Sequence, residues 1–327
     1  MHRPHYSQEL LDSSGIWAEI FRERRQRPEQ MVVKNKIVIC VGSGCSYPVA
    51  VFAAIAAEAS GAKLAKCMTP YEVVHSSFQC DLAVLVSAEG NHPDTVEAYC
   101  RLAQRQFRTL IITAQIDSCL ATEAAAHSGR TRVVTLDAQV PKGGFIPVGS
   151  TLVTLGLALT TLSAPIDGLA LFDRARTDHN LTRRTLPSFD SAHDFVIVSS
   201  MLGRAAAADF ETRLAESGLG FGNITDPWHL GHGRYFLLAN ETREKVLVAF
   251  GTTPEQAEIK RVLGLIPRGI ARVNIESEYE GIAGAAYSLF RSMFLISAIA
   301  EDRKVDPANR PLITWGNRLY MERRNAP

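Results

Sequence analysis

Residues 38–58 read VICVGSGCSYPVAVFAAIAAE. Val38 to Val41 form a short, uninterrupted apolar run, as expected of a strand buried on both faces of a parallel sheet. The run breaks at Gly42-Ser43-Gly44-Cys45-Ser46 and resumes as an alanine-rich stretch with Pro48 in its first turn, the signature of a helix start. Strand, glycine turn, helix is the opening half of a βαβ unit. The glycines let backbone amides approach a ligand, and the helix N-terminus favours an anion. The turn is not a dinucleotide fingerprint, because the third glycine of GxGxxG falls at Tyr47; no GK[ST] follows it, which excludes a Walker A loop. A bare GxG fits a tight turn or a ligand loop, and the residues leave both open. Cys45 at a helix start has the setting for a lowered thiol pKa, although no other thiol chemistry is indicated.

The same alternation extends outward. KIVICV (36–41), DLAVLV (81–86), RTLIIT (108–113) and TRVVTL (131–136) are predicted strands, with helix-like stretches between them. After Pro93, the residues Val96, Cys100, Ala103 and Phe107 recur at spacings of three and four and predict the buried stripe of a helix. DFVIVS (194–199), EKVLVAF (244–250) and ARVNIE (271–276) repeat the order in the second half. A shift of about 158 residues lays Ala57-Glu58 on Ala215-Glu216 and sets His75 beside His232, an internal duplication with few identities. The organisation expected is an N-terminal helical arm at 1–30, α/β domains at 31–165 and 166–303, and a tail at 304–327. The arm reads as one amphipathic helix carrying Leu10, Trp17, Ile20 and Phe21, and the tail is expected to lie on the body through Trp315 and Tyr320.

Composition narrows the function. A chain of 327 residues can bury its own core. Thirty-five Lys and Arg against 34 Asp and Glu leave a net charge of +1, without the basic excess that nucleic acid or an anionic membrane would attract. Neither is an expected partner. The six cysteines form no CxxC, so no disulfide framework and no zinc site are expected, and no metal or cofactor is called for. MHRPHYSQELLDSSG has no apolar signal core, and the expected location is the cytoplasm. The 24 uncharged residues between Lys142 and Asp167 are long enough to span a bilayer, but Pro147, Pro165 and several Thr, Ser and Gly favour a fully buried helix.

A second strand-to-helix loop, VSAEGNHPDT, runs from Val86 to Thr95. A parallel sheet brings successive loops of this kind to one carboxyl edge, where open α/β sheets bind ligands. Ser87, Glu89, Asn91, His92 and Thr95 supply donors and acceptors around Gly90, and Gly44, Cys45 and Ser46 supply the facing turn. The alternative is a solvated turn in which Asp94 and Thr95 support the helix start. Lys142, in PKGGF, is a further candidate cation for a carboxylate or phosphate.

These two loops, in this order, resemble those of the SIS (sugar isomerase) domain family, which has a GxGxS loop and a later S-x-S-G-x-(T/S) loop. The resemblance covers residues 31–300 and looks like the double-domain members, which include the isomerase part of glucosamine-6-phosphate synthase and the fructoselysine-phosphate deglycases. It implies an α/β fold of two flavodoxin-like halves, each a parallel sheet sandwiched by helices. It also implies a homodimer with sites at the subunit interface and a sugar-derived ligand. Gly203-Arg204 through Glu211 resembles the family's glycine-arginine and glutamate helix, and Leu230-Gly231-His232-Gly233 its HG segment, whose histidine assists ring opening. Two departures stand out. Glu89 replaces the loop's second serine and His92 its threonine; a carboxylate there repels a phosphate dianion by about 1 kcal/mol or more. The family's isomerase base falls at Gly218, and Glu216 is no substitute, lying about 140° round the helix from Glu211. The catalytic candidates are therefore His232, Glu211, Glu89 and His92, for an isomerase or deglycase acting on a sugar derivative. The competing reading is a non-catalytic sugar sensor or complex subunit.

Overall fold

A computed structural model describes residues 5–26, 30–136, 144–163, 166–239, 244–310 and 313–321. The described residues of 15–165 and 308–327 form one compact unit, and those of 5–14 and 166–307 a second. The N-terminal arm is two helices rather than one: α1 (Tyr6–Asp12) belongs to the second unit and α2 (Ser14–Gln26) to the first. The break falls at Ser13, whose hydroxyl turns back to the Glu9 carbonyl at 2.6 Å. A back-bond of this kind to the carbonyl four residues earlier loosens and bends a helix.

The first unit runs β1 (Ile37–Val41), α3 (Tyr47–Ala59), β2 (Leu64–Met68), α4 (Pro70–His75), β3 (Leu82–Ser87), α5 (Pro93–Gln104), β4 (Thr109–Thr113), α6 (Cys119–Ala125), β5 (Thr131–Val134) and α7 (Gly149–Leu162). All its strand pairs are parallel, in the order β2-β1-β3-β4-β5. That is the flavodoxin-like order, with its direction of winding reversing between β1 and β3. The edge strand β2 escapes sequence reading because LAKCM is half exposed and interrupted by Lys66. The uncharged stretch becomes α7, buried along nearly its whole length. Gly156 lets α2 approach it, since a Cβ there would lie 2.6 Å from Ile20 Cδ1 and 3.2 Å from Trp17 Cζ3. On α5 the buried face is Thr95, Ala98, Tyr99 and Leu102, while Val96, Cys100 and Ala103 on the helix and Phe107 just beyond it are only half buried. The predicted stripe is thus rotated by one position. Tyr99 sets the face, its ring in the core and its hydroxyl 3.0 Å from Thr131 Oγ1.

The second unit repeats the plan with α8 (Gly168–Thr182), β6 (Asp194–Ser199), α9 (Arg204–Ser217), β7 (Phe221–Thr225), α10 (Pro227–His229), α11 (Phe236–Ala239), β8 (Lys245–Thr253), α12 (Gln256–Leu265), β9 (Ala271–Glu280) and α13 (Gly281–Asp302). Its parallel order, β7-β6-β8-β9, is the first unit's order without the last strand. The half-exposed edge strand β7 was again invisible to hydropathy. Helix α13 is apolar and long enough to cross a membrane, yet 94% of its most apolar stretch is buried. Its core is bonded to α9 through charge: Asp209 Oδ1 accepts from Arg213 Nε at 2.7 Å and Oδ2 from Ser292 Oγ at 2.7 Å, all three fully buried. The Tyr6 ring lies 5.8 Å from the Arg213 guanidinium carbon, which seats α1 on the same cluster. After Asp302 the chain returns to the first unit and ends in α14 (Thr314–Met321).

His179, on α8, is 5% exposed and stacks on Phe294 with ring centroids 5.4 Å apart. Burial, with Arg291 and Arg183 nearby, pushes its pKa down from 6.5 to about 4. A base depressed in the folded state binds more protons when unfolded, so its stabilisation is complete above pH 6.5 and drains away as pH falls toward 4. The loss expected is about 3 kcal/mol. Urea unfolding of wild type and H179F across that range should show the excess acid sensitivity in the wild type alone; parallel curves would refute the assignment.

Candidate functional site

The two loops named from the sequence leave adjacent strands at one edge. Strands β1 and β3 pair in parallel, with Val41 opposite Leu85, so the turn after Val41 and the loop after Ser87 emerge side by side. Between them the direction of winding reverses, and an open α/β sheet forms its ligand crevice at such a point. A hydrogen bond joins the loops directly, Ser46 Oγ accepting from the Ala88 amide at 3.1 Å. Gly42 permits the first turn, because a Cβ there would lie 2.6 Å from the Ser46 carbonyl oxygen. Gly44 has φ +51°, in the left-handed region that glycine adopts without strain.

The second loop is braced from three sides. Ser87 Oγ accepts from the Gly90 amide at 3.1 Å, and Gly90 O accepts from the Leu120 amide at 2.9 Å. Asn91 Oδ1 accepts from the Cys119 amide at 2.9 Å, and Ala88 O from the Ala114 amide at 3.1 Å. Gly90, at φ +65°, fits so closely that a Cβ would sit 2.5 Å from Ser118 Oγ. Ser118, which also caps α6 by accepting from the Ala121 amide, is a loop-shaping residue that the sequence reading missed. Its place before CLATEAA is legible as an N-cap, but its service to a loop 28 positions upstream is not.

This bracing revises the candidate list. Ser46, Ser87 and Thr95 are each less than 9% exposed; the two serine hydroxyls accept loop amides, and Thr95 Oγ1 donates to Asp94 Oδ1 at 3.0 Å. They hold the loops, a structural role that the sequence did not announce beside the ligand contact expected of them. What faces outward is Gly44, the half-buried Cys45, Glu89, and the half-buried Asn91 and His92. His92 occupies the N-cap position of α5 without capping it; its Nδ1 instead meets Asp94 Oδ1. Partial burial pushes the Asp94 carboxyl up, but the hydrogen bonds of His92 and Thr95 more than offset it, and the carboxyl is held below its usual value. The ring of Tyr320, on α14, lies 4.7 Å from that of His92. Lys142 lies outside the described residues. A cavity of about 370 Å³ lies elsewhere in this unit, walled by α6 and β5 through Ile116, Asp117, Thr122 and Thr131, and shares no residue with the two loops.

The second unit's candidates separate along β7. His232 stands exposed on the turn Leu230–Arg234, beyond the carboxyl end of the strand, where Gly233 takes φ +100°. The segment is launched by Asp226, which accepts from the amides of Trp228 and His229. Glu211 packs lower: Gly222, second residue of β7, makes room for its stem, and a Cβ there would meet Glu211 Cγ at 2.9 Å. Three residues of strand, about 10 Å, separate Gly222 from the carboxyl end. Burial raises the Glu211 pKa. Gly218 ends α9 at φ +64°, the left-handed conformation of a helix C-terminus, so no side chain at that position continues the Glu211 face. Sequence reading missed the second unit's own rim, where Ser200 Oγ lies 3.0 Å from Thr252 Oγ1 and accepts from the Gly203 amide at 3.1 Å.

No protein-family model matches the sequence, and no curated protein matches it. Solved structures do match the fold over nearly the whole chain. Glucosamine-6-phosphate deaminase from Thermotoga maritima is 16% identical with a TM-score of 0.73, covering 94% of this chain and 98% of its own. Tagatose-6-phosphate ketose/aldose isomerase from Escherichia coli is 14% identical with a TM-score of 0.71, covering 96% and 99%. The C-terminal domain of glucosamine-fructose-6-phosphate aminotransferase from Francisella tularensis is 15% identical with a TM-score of 0.69, covering 94% and 98%. The resemblance to the double SIS proteins therefore holds at the level of the fold, two all-parallel sheets flanked by helices.

Replacing Ser46 with Ala strands the buried Ala88 amide, which should cost about 1–3 kcal/mol. Urea unfolding of S46A measures this; a loss under about 0.5 kcal/mol would show that the loops are held together by other contacts.

Proposed function

We propose that this chain binds a carbohydrate derivative at the rim formed by Gly42–Ser46 and Ser87–His92. The observation that carries the reading is the placement of both loops at the switch point of a sheet whose fold it shares with proteins named for glucosamine-6-phosphate and tagatose-6-phosphate chemistry. The ligand proposed is less anionic than a hexose phosphate. Glu89 presents a carboxylate where a phosphate would need donors, and the serine hydroxyls of the loops, Ser46 and Ser87, are buried where they accept loop amides. A hydroxyl-rich or amino sugar suits these acceptors better. We take the protein to act as a homodimer, as its resemblance implies, and to do so in the cytoplasm, as its N-terminal sequence and cysteine pattern suggest.

In its enzymatic form the protein is an isomerase or deglycase. Proton transfer between adjacent carbons needs a base, for which Glu89 and His92 have the chemistry, and ring opening needs a second acid-base group, for which His232 is the candidate. A non-catalytic sugar sensor is the second reading, favoured by the helix end at Gly218, where the resemblance would place a base.

Thermal unfolding against neutral, amino, phosphorylated and nucleotide-linked sugars tests the binding. A ligand at 100 times its dissociation constant adds about 2.7 kcal/mol to stability. Neutral or amino sugars should stabilise and hexose phosphates should not. E89Q should improve phosphosugar affinity roughly five-fold, the equivalent of removing about 1 kcal/mol of repulsion. Hexose phosphates preferred by the wild type would overturn the ligand class, and no sugar at all the binding. Conversion followed by NMR, lost in H232A and in E89Q/H92A, identifies the enzyme; stabilisation without conversion identifies the sensor.

A further inference from the structure

His92 carries one chemical commitment that the sugar-site reading leaves unused. At the N-cap position of α5 an imidazole has backbone amides within reach, yet this ring makes no capping bond and turns to Asp94, two residues on. The pair is three-quarters buried, with side-chain exposures of 26% for His92 and 24% for Asp94. The same Asp94 Oδ1 receives the Thr95 hydroxyl at 3.0 Å, so the carboxylate is oriented from a second side. Tyr320 closes on the ring at 4.7 Å with an interplanar angle of 58°, a tilted contact that restricts rotation about the His92 side chain.

We propose that Asp94 is the positioning residue for His92: it holds the neutral imidazole as the Nδ1–H tautomer, so that the ring offers a ligand its Nε2 lone pair. An ionised carboxylate only accepts hydrogen bonds, and the nitrogen facing it must therefore carry the proton. Asp94 is ionised near neutral pH, since burial, which alone would raise its pKa, is outweighed by its partners. The second ring nitrogen is then bare. When Nε2 takes a proton from a ligand hydroxyl, the resulting imidazolium is paired with Asp94. The consequence for the rim rests on the sugar-site reading. His92 Nε2 and the Glu89 carboxylate make two acceptors, which select a ligand that presents hydroxyl or ammonium donors there.

The tautomer is measurable without any ligand. Full-length protein labelled with 15N-histidine is recorded by long-range 1H–15N correlation at a pH where the ring is neutral, and the signals that vanish in H92Q are those of His92. Wild type should show a protonated-type Nδ1 and an unprotonated-type Nε2. D94A, with the rest of its amide spectrum intact, should revert to the Nε2–H form. A wild-type ring carrying its proton on Nε2, or a tautomer indifferent to D94A, overturns the proposal; if D94A does not fold, the wild-type spectrum decides alone. With a stabilising sugar in hand, D94A and H92Q should each weaken binding and D94A/H92Q no more than either, because the two side chains act as one unit. An Nδ1–H ring in a protein that no sugar stabilises would sink the sugar-site reading and leave this pair standing.

Discussion

The first unit's architecture depends on β1 having neighbours on both sides that are not its successors in a single direction. Pairing with β2 on one edge and β3 on the other forces the chain to reverse its winding, and the loops after β1 and β3 must then part around a gap at the carboxyl edge. The gap is a topological necessity before any side chain is specified. What the side chains decide is whether the gap stays open, and Ser46, by bonding the Ala88 amide across it, fixes the separation of the loops at their root.

That root explains why the hydroxyl-bearing positions are buried here. A loop leaving a fully buried strand carries amides that water cannot reach, and each needs a partner. Ser46, Ser87 and Ser118 answer amides of the two loops and of the adjoining helix, and Asn91 answers Cys119. The titratable groups on the outer side of the turn are the exposed Glu89 and the half-buried His92, beside the half-buried Asn91. Chemistry at this rim therefore differs from what a serine-rich loop would offer, because the charge and proton-holding capacity are concentrated in two side chains.

The sheet was legible where burial is two-sided. Val38–Val41 and Leu82–Val86 are apolar at every position, and only a strand covered on both faces reads that way. One edge of each sheet was not legible, since Leu64–Met68 and Phe221–Thr225 are largely exposed and alternate too weakly to announce a strand, whereas the opposite edges, Thr131–Val134 and Ala271–Glu280, begin in readable β-branched runs. The rotated face of α5 has a similar cause: hydropathy scores Val96 and Cys100 above Thr95 and Tyr99, but the strand hydroxyl of the half-buried Thr131 gives Tyr99 a partner that no pattern within the helix predicts. At the site, the loops and their residue types were readable as a local sequence motif. Which of those residues had already been used internally was not, because the partners Ser118, Cys119 and Leu120 arrive from the next crossover helix.

The duplication shows what the fold conserves and what it leaves free. Both units set a serine at the first loop and lock it by a hydrogen bond toward the third strand of their winding, Ser46 to the Ala88 amide and Ser200 to the Thr252 hydroxyl. In both, an amide three residues along returns to a serine hydroxyl, Gly90 to Ser87 and Gly203 to Ser200. The helices that follow diverge. Helix α9 ends at a left-handed Gly218 one turn beyond Leu214, and the carboxylate that remains, Glu211, is drawn down over Gly222 and away from the carboxyl edge. A helix that stops in this way cannot carry a second acid-base group on the face of Glu211, whatever the edge above it binds. The titratable groups at the carboxyl edge of the first unit are instead on a loop, and there His92 comes with a carboxylate partner, Asp94, two residues on.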